Sequence, residues 1–261
     1  MDNRTSCTVS SERLVEVLQL TDLHLLHTTQ GTLWDINPYA NFRRILQEAI
    51  GRYPSTTLLL LTGDLVNDPT VEAYRLLRDG LTKLDYPVFR LPGNHDDVIL
   101  LDGALSGGNF HKEQAVELGD WQIILLDSNA PSPIGGRLDQ MELQRLEKSL
   151  QAYPDRHALV CLHHHPVPID SPWMDVMALQ NPRDLFEILD RYPQVRGVIW
   201  GHIHQEFEAE WHGVRLLGAP ATSIQFVPRC AQFQKHSLGP GYRWLGLASD
   251  GVIHTRVHYL S

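Results

Sequence analysis

Six short apolar runs punctuate the chain, and each stops on polar residues. VEVLQL (15–20) runs into TDLHLLH, TTLLLL (56–61) into TGDLVND, and PVFRL (87–91) into PGNHDD. WQIILL (121–126) runs into DSN, ALVCL (158–162) into HHHP, and VRGVIW (195–200) into GHIHQ. Continuous apolar runs of this length, closed by turn-forming residues, predict buried strands. Between them the apolar spacing shifts to the helical period. Helices are predicted over 41–51, between Asn41 and Gly51, and over 70–84, where Gly80 weakens the end. Two more are predicted over 139–152, the clearest amphipathic pattern, and over 181–191, where Pro182 suits a first helical turn. Strands alternating with helices make this part α/β. Past His204 the pattern becomes paired strands. EFEAEWHGVRLLGAP turns at His-Gly and YRWLGLASDGVIHTRVHYL at Asp-Gly, so the C-terminal part is expected to be β-rich and antiparallel.

The strand ends carry the candidate chemistry. Open α/β sheets bind ligands beyond the C-terminal ends of their strands. There the chain places Asp22 and His24, Asp64, Asn94 and His95, then His163, His164 and His165, and finally His202 and His204. Clustered Asp, Asn and His suit a transition metal: imidazole fits Zn, Fe, Mn, Ni or Cu, and oxygen ligands favour Mn, Mg or Fe. The i,i+2 spacing of Asp22/His24 and of His202/His204 sets both members on one side of an extended segment. The same alternation separates His164 from His163 and His165, but leaves open which side would face a metal. One D-x-H is ordinary; five such clusters in order, each behind its own strand, are not.

Composition narrows the partners. The 261 residues are 43% hydrophobic and 20% charged, an ordinary globular balance with no linker-like segment, which favours one domain. The net charge of −9 argues against an extended nucleic-acid surface. No apolar run approaches the ~20 residues that span a bilayer. Cys7, Cys161 and Cys230 form no close pair, which fits a reducing cytoplasm.

The clusters together resemble a known family. D-x-H (Asp22, His24), G-D-x-x-x-D (Gly63, Asp64, Asp68), G-N-H-D (93–96), a later H-x-P and G-H-x-H (201–204) resemble the calcineurin-like metallophosphoesterases over about residues 17–204. The segments VPIDSPWMDVMALQNPRDLFEIL, GAPATSIQFVPRCAQF and GPGYRWLGLASDG look like the bacterial class III 3′,5′-cyclic-AMP phosphodiesterases. The resemblance implies two packed mixed β-sheets flanked by helices, a four-layer αββα sandwich. It is expected as a single domain over 13–261, with 1–12 a loose polar N-terminus.

The resemblance also implies the site. Asp22, His24 and His204 would hold one metal, Asn94, His202 and His164 a second, and Asp64 would bridge them. His164 is chosen because the family ligand stands two residues before the proline, here Pro166. Two divalent or trivalent transition-metal ions per chain are expected, iron, manganese or similar, about 3.5–4 Å apart. His24, Asp64, Asn94, His95 and His204 would contact the substrate, cyclic AMP. A metal-bridging hydroxide would attack phosphorus in line with the departing 3′-oxygen, giving 5′-AMP. His95, beside Asn94 but not a ligand in the family pattern, would be the catalytic group protonating that oxygen. The alternative is action on other phosphodiesters, such as glycerophosphodiesters or 2′,3′-cyclic nucleotides. Asp68 and Asp96 are the acids expected to back the ligand histidines. Phe226, Phe233, Tyr242 and Trp244 are the aromatics that could meet the base, although core packing is the commoner fate of such residues. A cytoplasmic monomer or homodimer, binding neither nucleic acid nor membrane, completes the expectation.

Overall fold

The computed structural model describes residues 14–129 and 135–261. The expected loose N-terminus and Cys7 lie outside the described residues. The chain begins with β1 (Val15–Leu20), α1 (Pro38–Arg52), β2 (Leu58–Thr62), α2 (Val71–Leu81), β3 (Val88–Leu91) and α3 (Val98–Ala104). It continues through β4 (Phe110–His111), β5 (Ala115–Leu118), β6 (Trp121–Leu125), α4 (Gln140–Ala152), β7 (His157–Cys161), α5 (Pro172–Asp175) and α6 (Pro182–Leu189). It closes with β8 (Val195–Trp200), β9 (Phe207–Trp211), β10 (Val214–Gly218), β11 (Gly241–Leu247) and β12 (Ile253–Tyr259).

Two six-stranded sheets result. The first runs β12-β11-β1-β2-β3-β4, and the second β5-β6-β7-β8-β10-β9. In the first, β1 to β4 are parallel and β11 returns antiparallel to β1. In the second, β6, β7, β8 and β10 are parallel between the antiparallel edges β5 and β9. All six apolar runs became strands, and both C-terminal hairpins formed at their predicted turns.

Side-chain alternation sorts the core into three layers. Val17, Leu58 and Leu60 from the first sheet meet Ile123, Leu159, Ile199 and Leu217 from the second. The intervening Leu18, Leu20, Leu59 and Leu61 face α1 and α2 through Phe42, Ile45, Tyr74 and Leu77. Val160 and Val198 face α4 and α6 through Leu146, Leu150, Leu185 and Leu189. Both faces of each central strand are therefore apolar, which is why those strands read as continuous runs. Helix, sheet, sheet, helix is the expected four-layer order.

Helix ends moved to where caps exist. The Asn37 side chain accepts from Ala40 N and starts α1 ahead of the predicted Asn41, while Thr70 and Asp139 cap α2 and α4 as their patterns suggested. The short α3, capped by Asp97, was not predicted: seven residues offer too few turns for a periodic signal. Among the described residues, no helix is long and apolar enough to cross a membrane.

Candidate metal centre

The C-terminal ends of β1, β2, β3, β7 and β8 share one rim, and the candidate residues follow directly on those ends. Asp22, His24, Asp64, His202 and His204 all have positive φ, between 47° and 68°. Non-glycine residues there cost of order 1–3 kcal/mol each and persist only where their surroundings hold them. Here the surroundings are backbone bonds between strand ends. Asp22 N donates to Gly63 O at 3.0 Å and His24 N to Asp64 O at 3.0 Å. The two sheets are joined at the same point: His202 N donates to both oxygens of Asp22, at 3.1 and 2.9 Å. Gly201 and Gly93 permit the approach. A Cβ on Gly201 would stand 2.0 Å from Thr21 Oγ1, and one on Gly93 would stand 2.2 Å from Asp64 N and Oδ1.

Three donor groups converge. Asp22, His24 and His204 form one, His24, Asp64 and His95 a second, and Asp64, His163 and His202 a third, each with its ligand atoms within 4.8 Å of one another. Asp64 therefore stands between both ends of the cluster. His24 Nε2 faces His204 Nε2 at 3.2 Å, and Asp22 Oδ1 lies 3.3 Å from His204 Nε2. His204 Nδ1–H donates to Ile224 O at 2.8 Å, so its Nε2 presents a lone pair when the ring is neutral. A carboxylate and imidazole lone pairs directed at one point lack a positive partner; a metal ion supplies one. His202 Nε2 and His24 Nδ1 are also buried without a hydrogen-bond partner. The donor set thus fits transition-metal ions.

Electrostatics divides the histidines. Burial pushes His24 down to about 4 despite the nearby Asp64, and pushes His164 down to about 3 with His163 adding to the effect. Burial and the rings of His164, His163 and His165 hold His202 well below its ordinary value. These rings are neutral at pH 7, the state a ligand requires. His163 is the exception. Burial would lower it, but Asp64 reverses this and raises it to about 9. Its Nδ1–H donates to Thr62 O at 2.9 Å, and its Nε2 lies 3.4 Å from Asp64 Oδ1, an ion-pair distance without hydrogen-bond alignment. Burial would also lift the Asp64 carboxyl, yet His163, His24 and His95 hold it well below the usual range. Asp22 is likewise held low, with His204 and His163 outweighing burial.

The remaining candidates fall around this core. The His164 ring lies 4.7 Å from that of His202, and its Nδ1 pairs with Ser128 Oγ at 2.8 Å. His165 is fully buried, stacks on His202 at 5.6 Å and sits 3.5 Å from Asp175. Asn94 is on the exposed part of its loop. His95 is the least buried member of its group; its N–H donates to Asp64 Oδ1 at 2.9 Å and its Nδ1–H to Asn67 O at 2.8 Å.

The supporting residues differ from expectation. Asp68 is not a partner of any ligand histidine; it accepts from Asn67 Nδ2. Asp96 instead fixes the loop, accepting from Gly93 N, Leu65 N and the Tyr74 hydroxyl. The histidines lean on the Ile224 and Thr62 carbonyls and on Ser128. Backbone carbonyls leave no trace in side-chain sequence. Ser128 did leave one, in the DSN that closes its apolar run, but nothing there tied it to the histidines. Asn129 Nδ2 donates to Gly93 O at 2.6 Å, and Ser223 Oγ to Asp22 O at 2.6 Å; both were missed for the same reason.

A family model described as calcineurin-like phosphoesterase matches residues 15–206. The chain is 36% identical to a 3′,5′-cyclic adenosine monophosphate phosphodiesterase, CpdA, of Pseudomonas aeruginosa, over 98% of this chain and 93% of that one. It is 37% identical to a 3′,5′-cyclic-nucleotide phosphodiesterase of Nostoc, over 93% and 91%. Among solved structures, a dimetal phosphatase of Danio rerio shares the fold at a TM-score of 0.63 and 14% identity, covering 96% of this chain and all of that one.

Proposed function

The chain belongs to the calcineurin-like phosphoesterase family, and from that premise we propose that it hydrolyses 3′,5′-cyclic AMP to 5′-AMP at a two-metal centre. The observation that carries this reading is the likeness to cyclic-AMP phosphodiesterases over nearly the whole chain, tail included. The tail wraps the centre: Ser223 and Thr222 bond the end of β1, and β11 pairs with β1 itself. The reading therefore takes 13–261 as one catalytic domain.

Asp22, His24 and His204 would hold one ion, and Asn94, His164 and His202 the other, with Asp64 shared. His164 is taken as the ligand on the family pattern, its Nδ1 occupied by Ser128 Oγ and its ring against His202, whereas His163, which shares a donor group with Asp64 and His202, is read as the residue bracing Asp64. Bound metal would supply positive charge for the phosphate oxygens and lower the pKa of a bound water. The rest of the work falls to side chains. His163 and the His95 N–H hold the Asp64 carboxylate ionised and oriented. Asn67 O keeps a proton on His95 Nδ1, so Nε2 is the nitrogen free to act. From there His95 Nε2–H would donate a proton to the departing 3′-oxygen, leaving the Nδ1–H tautomer that Asn67 O fixes. Two free thiols among the described residues, Cys161 and Cys230, suit the cytoplasmic setting of this reading.

The test is a turnover panel of cyclic AMP, cyclic GMP, 2′,3′-cyclic AMP and bis(p-nitrophenyl) phosphate. Cyclic AMP should have the highest kcat/KM. Equal or better rates on the aryl ester would remove the cyclic-AMP assignment and leave only the family.

A further inference from the structure

Four aromatic rings run outward from the metal centre, and two end in solvent. Phe226 stacks flat on His204, with ring centres 4.0 Å apart and planes 6° apart. Phe233 meets Phe226 edge-on at 5.3 Å, and Trp173 packs against both. Trp34 joins Phe233 at 5.6 Å. Phe226 is buried, whereas Trp34 and Phe233 are 45% and 43% exposed. Tyr242 and Trp244 take no part: the first is wholly buried, and the second stacks on Tyr53 in the first sheet.

Two loops hold the outer pair together. Trp34 sits in a tight turn closed by the Leu33–Ile36 pairing, with φ of 49° at Trp34 and 64° at Asp35. That backbone is unfavourable for a bulky residue, so the indole is displayed at a cost. Phe233 belongs to the segment between β10 and β11, where Phe226 pairs with Lys235. Lys235 Nζ donates to Trp34 O at 2.5 Å and ties one loop to the other. The Trp173 indole N–H is buried in this group without an acceptor.

We propose that Trp34 and Phe233 form a stacking platform for the base of a nucleotide whose phosphate lies at the metal centre. The inference rests on the cyclic-nucleotide reading and adds its specificity subsite. The platform is continuous with the centre, since Phe226 lies flat on His204 and Phe233 packs on Phe226. A base does not fit between the two rings, because a sandwich needs two contacts of roughly 3.5 Å each and the centres are 5.6 Å apart. It lies on their exposed faces instead.

Calorimetric titration of the manganese-loaded protein with 5′-AMP and with ribose 5-phosphate, which lacks only the base, tests this. Trp34→Ala and Phe233→Ala should each weaken 5′-AMP by about tenfold, the usual scale of one base–aromatic stack, and leave ribose 5-phosphate unchanged. Phe233→Trp should restore the affinity. Both replaced side chains are half in solvent, so no core cavity opens. Equal weakening of both ligands, or of neither, overturns the platform. Equal affinity of the unaltered protein for the two ligands overturns the nucleotide reading itself, and the platform with it.

Discussion

The two sheets make unequal contributions to one rim. The first supplies the carboxylates Asp22 and Asp64, together with His24, Asn94 and His95. The second supplies imidazole, through His163, His164, His202 and His204. Neither set is complete alone. Acids without imidazoles would be like charges crowded together, and imidazoles without acids would lack a shared anchor. Asp64 reaches from the first sheet into both halves, and several bonds cross the seam beside it, among them His202 N to Asp22, His163 Nδ1 to Thr62 O, Asn129 Nδ2 to Gly93 O and Gln19 Nε2 to Trp200 O. The site is thus a product of sheet packing, and its geometry depends on the apolar layer between the sheets.

This division can be broken most severely from the first sheet. Asp64→Ala should release metal from both positions and cost more than the roughly 10–100-fold of a supporting residue; metal analysis and turnover read both effects. His95→Ala should keep its metal and lose turnover by about 10²–10⁴-fold, the range of general acid catalysis. Loss of metal in step with activity would make His95 a ligand. In the second sheet, adjacent residues should behave differently. His164→Ala should empty one metal position, while His163→Ala should retain metal and cost activity through a loosened Asp64, by about 10–100-fold. The reverse pattern would exchange their roles.

The contrast between these neighbours marks where sequence was informative and where it was not. The strands were legible because central strands buried on both faces carry unbroken apolar runs. The clusters were legible because parallel strands end on one rim. Strand alternation separated His164 from its neighbours but could not choose between them; the choice rested on family likeness. What distinguishes His163 physically is the Thr62 carbonyl and the Asp64 carboxylate, a hundred residues away in sequence and on the other sheet. Ser128, Asn129 and Ser223 stayed silent for the same reason. Trp34 was overlooked because a lone aromatic in a loop has no periodic context, and Asp96 proved to brace the loop rather than a histidine.

Smaller effects probe the seam itself. Gly93→Ala pushes a methyl group against Asp64 and should destabilise the fold by roughly 1–3 kcal/mol, the usual cost of overpacking; a thermal melt measures it. Cys161 lies in the layer between the sheets, where burial pushes its thiol well above the ordinary value. It should resist alkylation in the native protein at pH 8, while the partly exposed Cys230 reacts. Peptide mapping after iodoacetamide treatment distinguishes them.

The central claim is that one centre is assembled from two sheets around Asp64. An anomalous-difference map of manganese-loaded crystals tests it directly. Two peaks about 3.5–4 Å apart, both touching Asp64, are the predicted result. A single peak, or peaks that Asp64 does not touch, would contradict it.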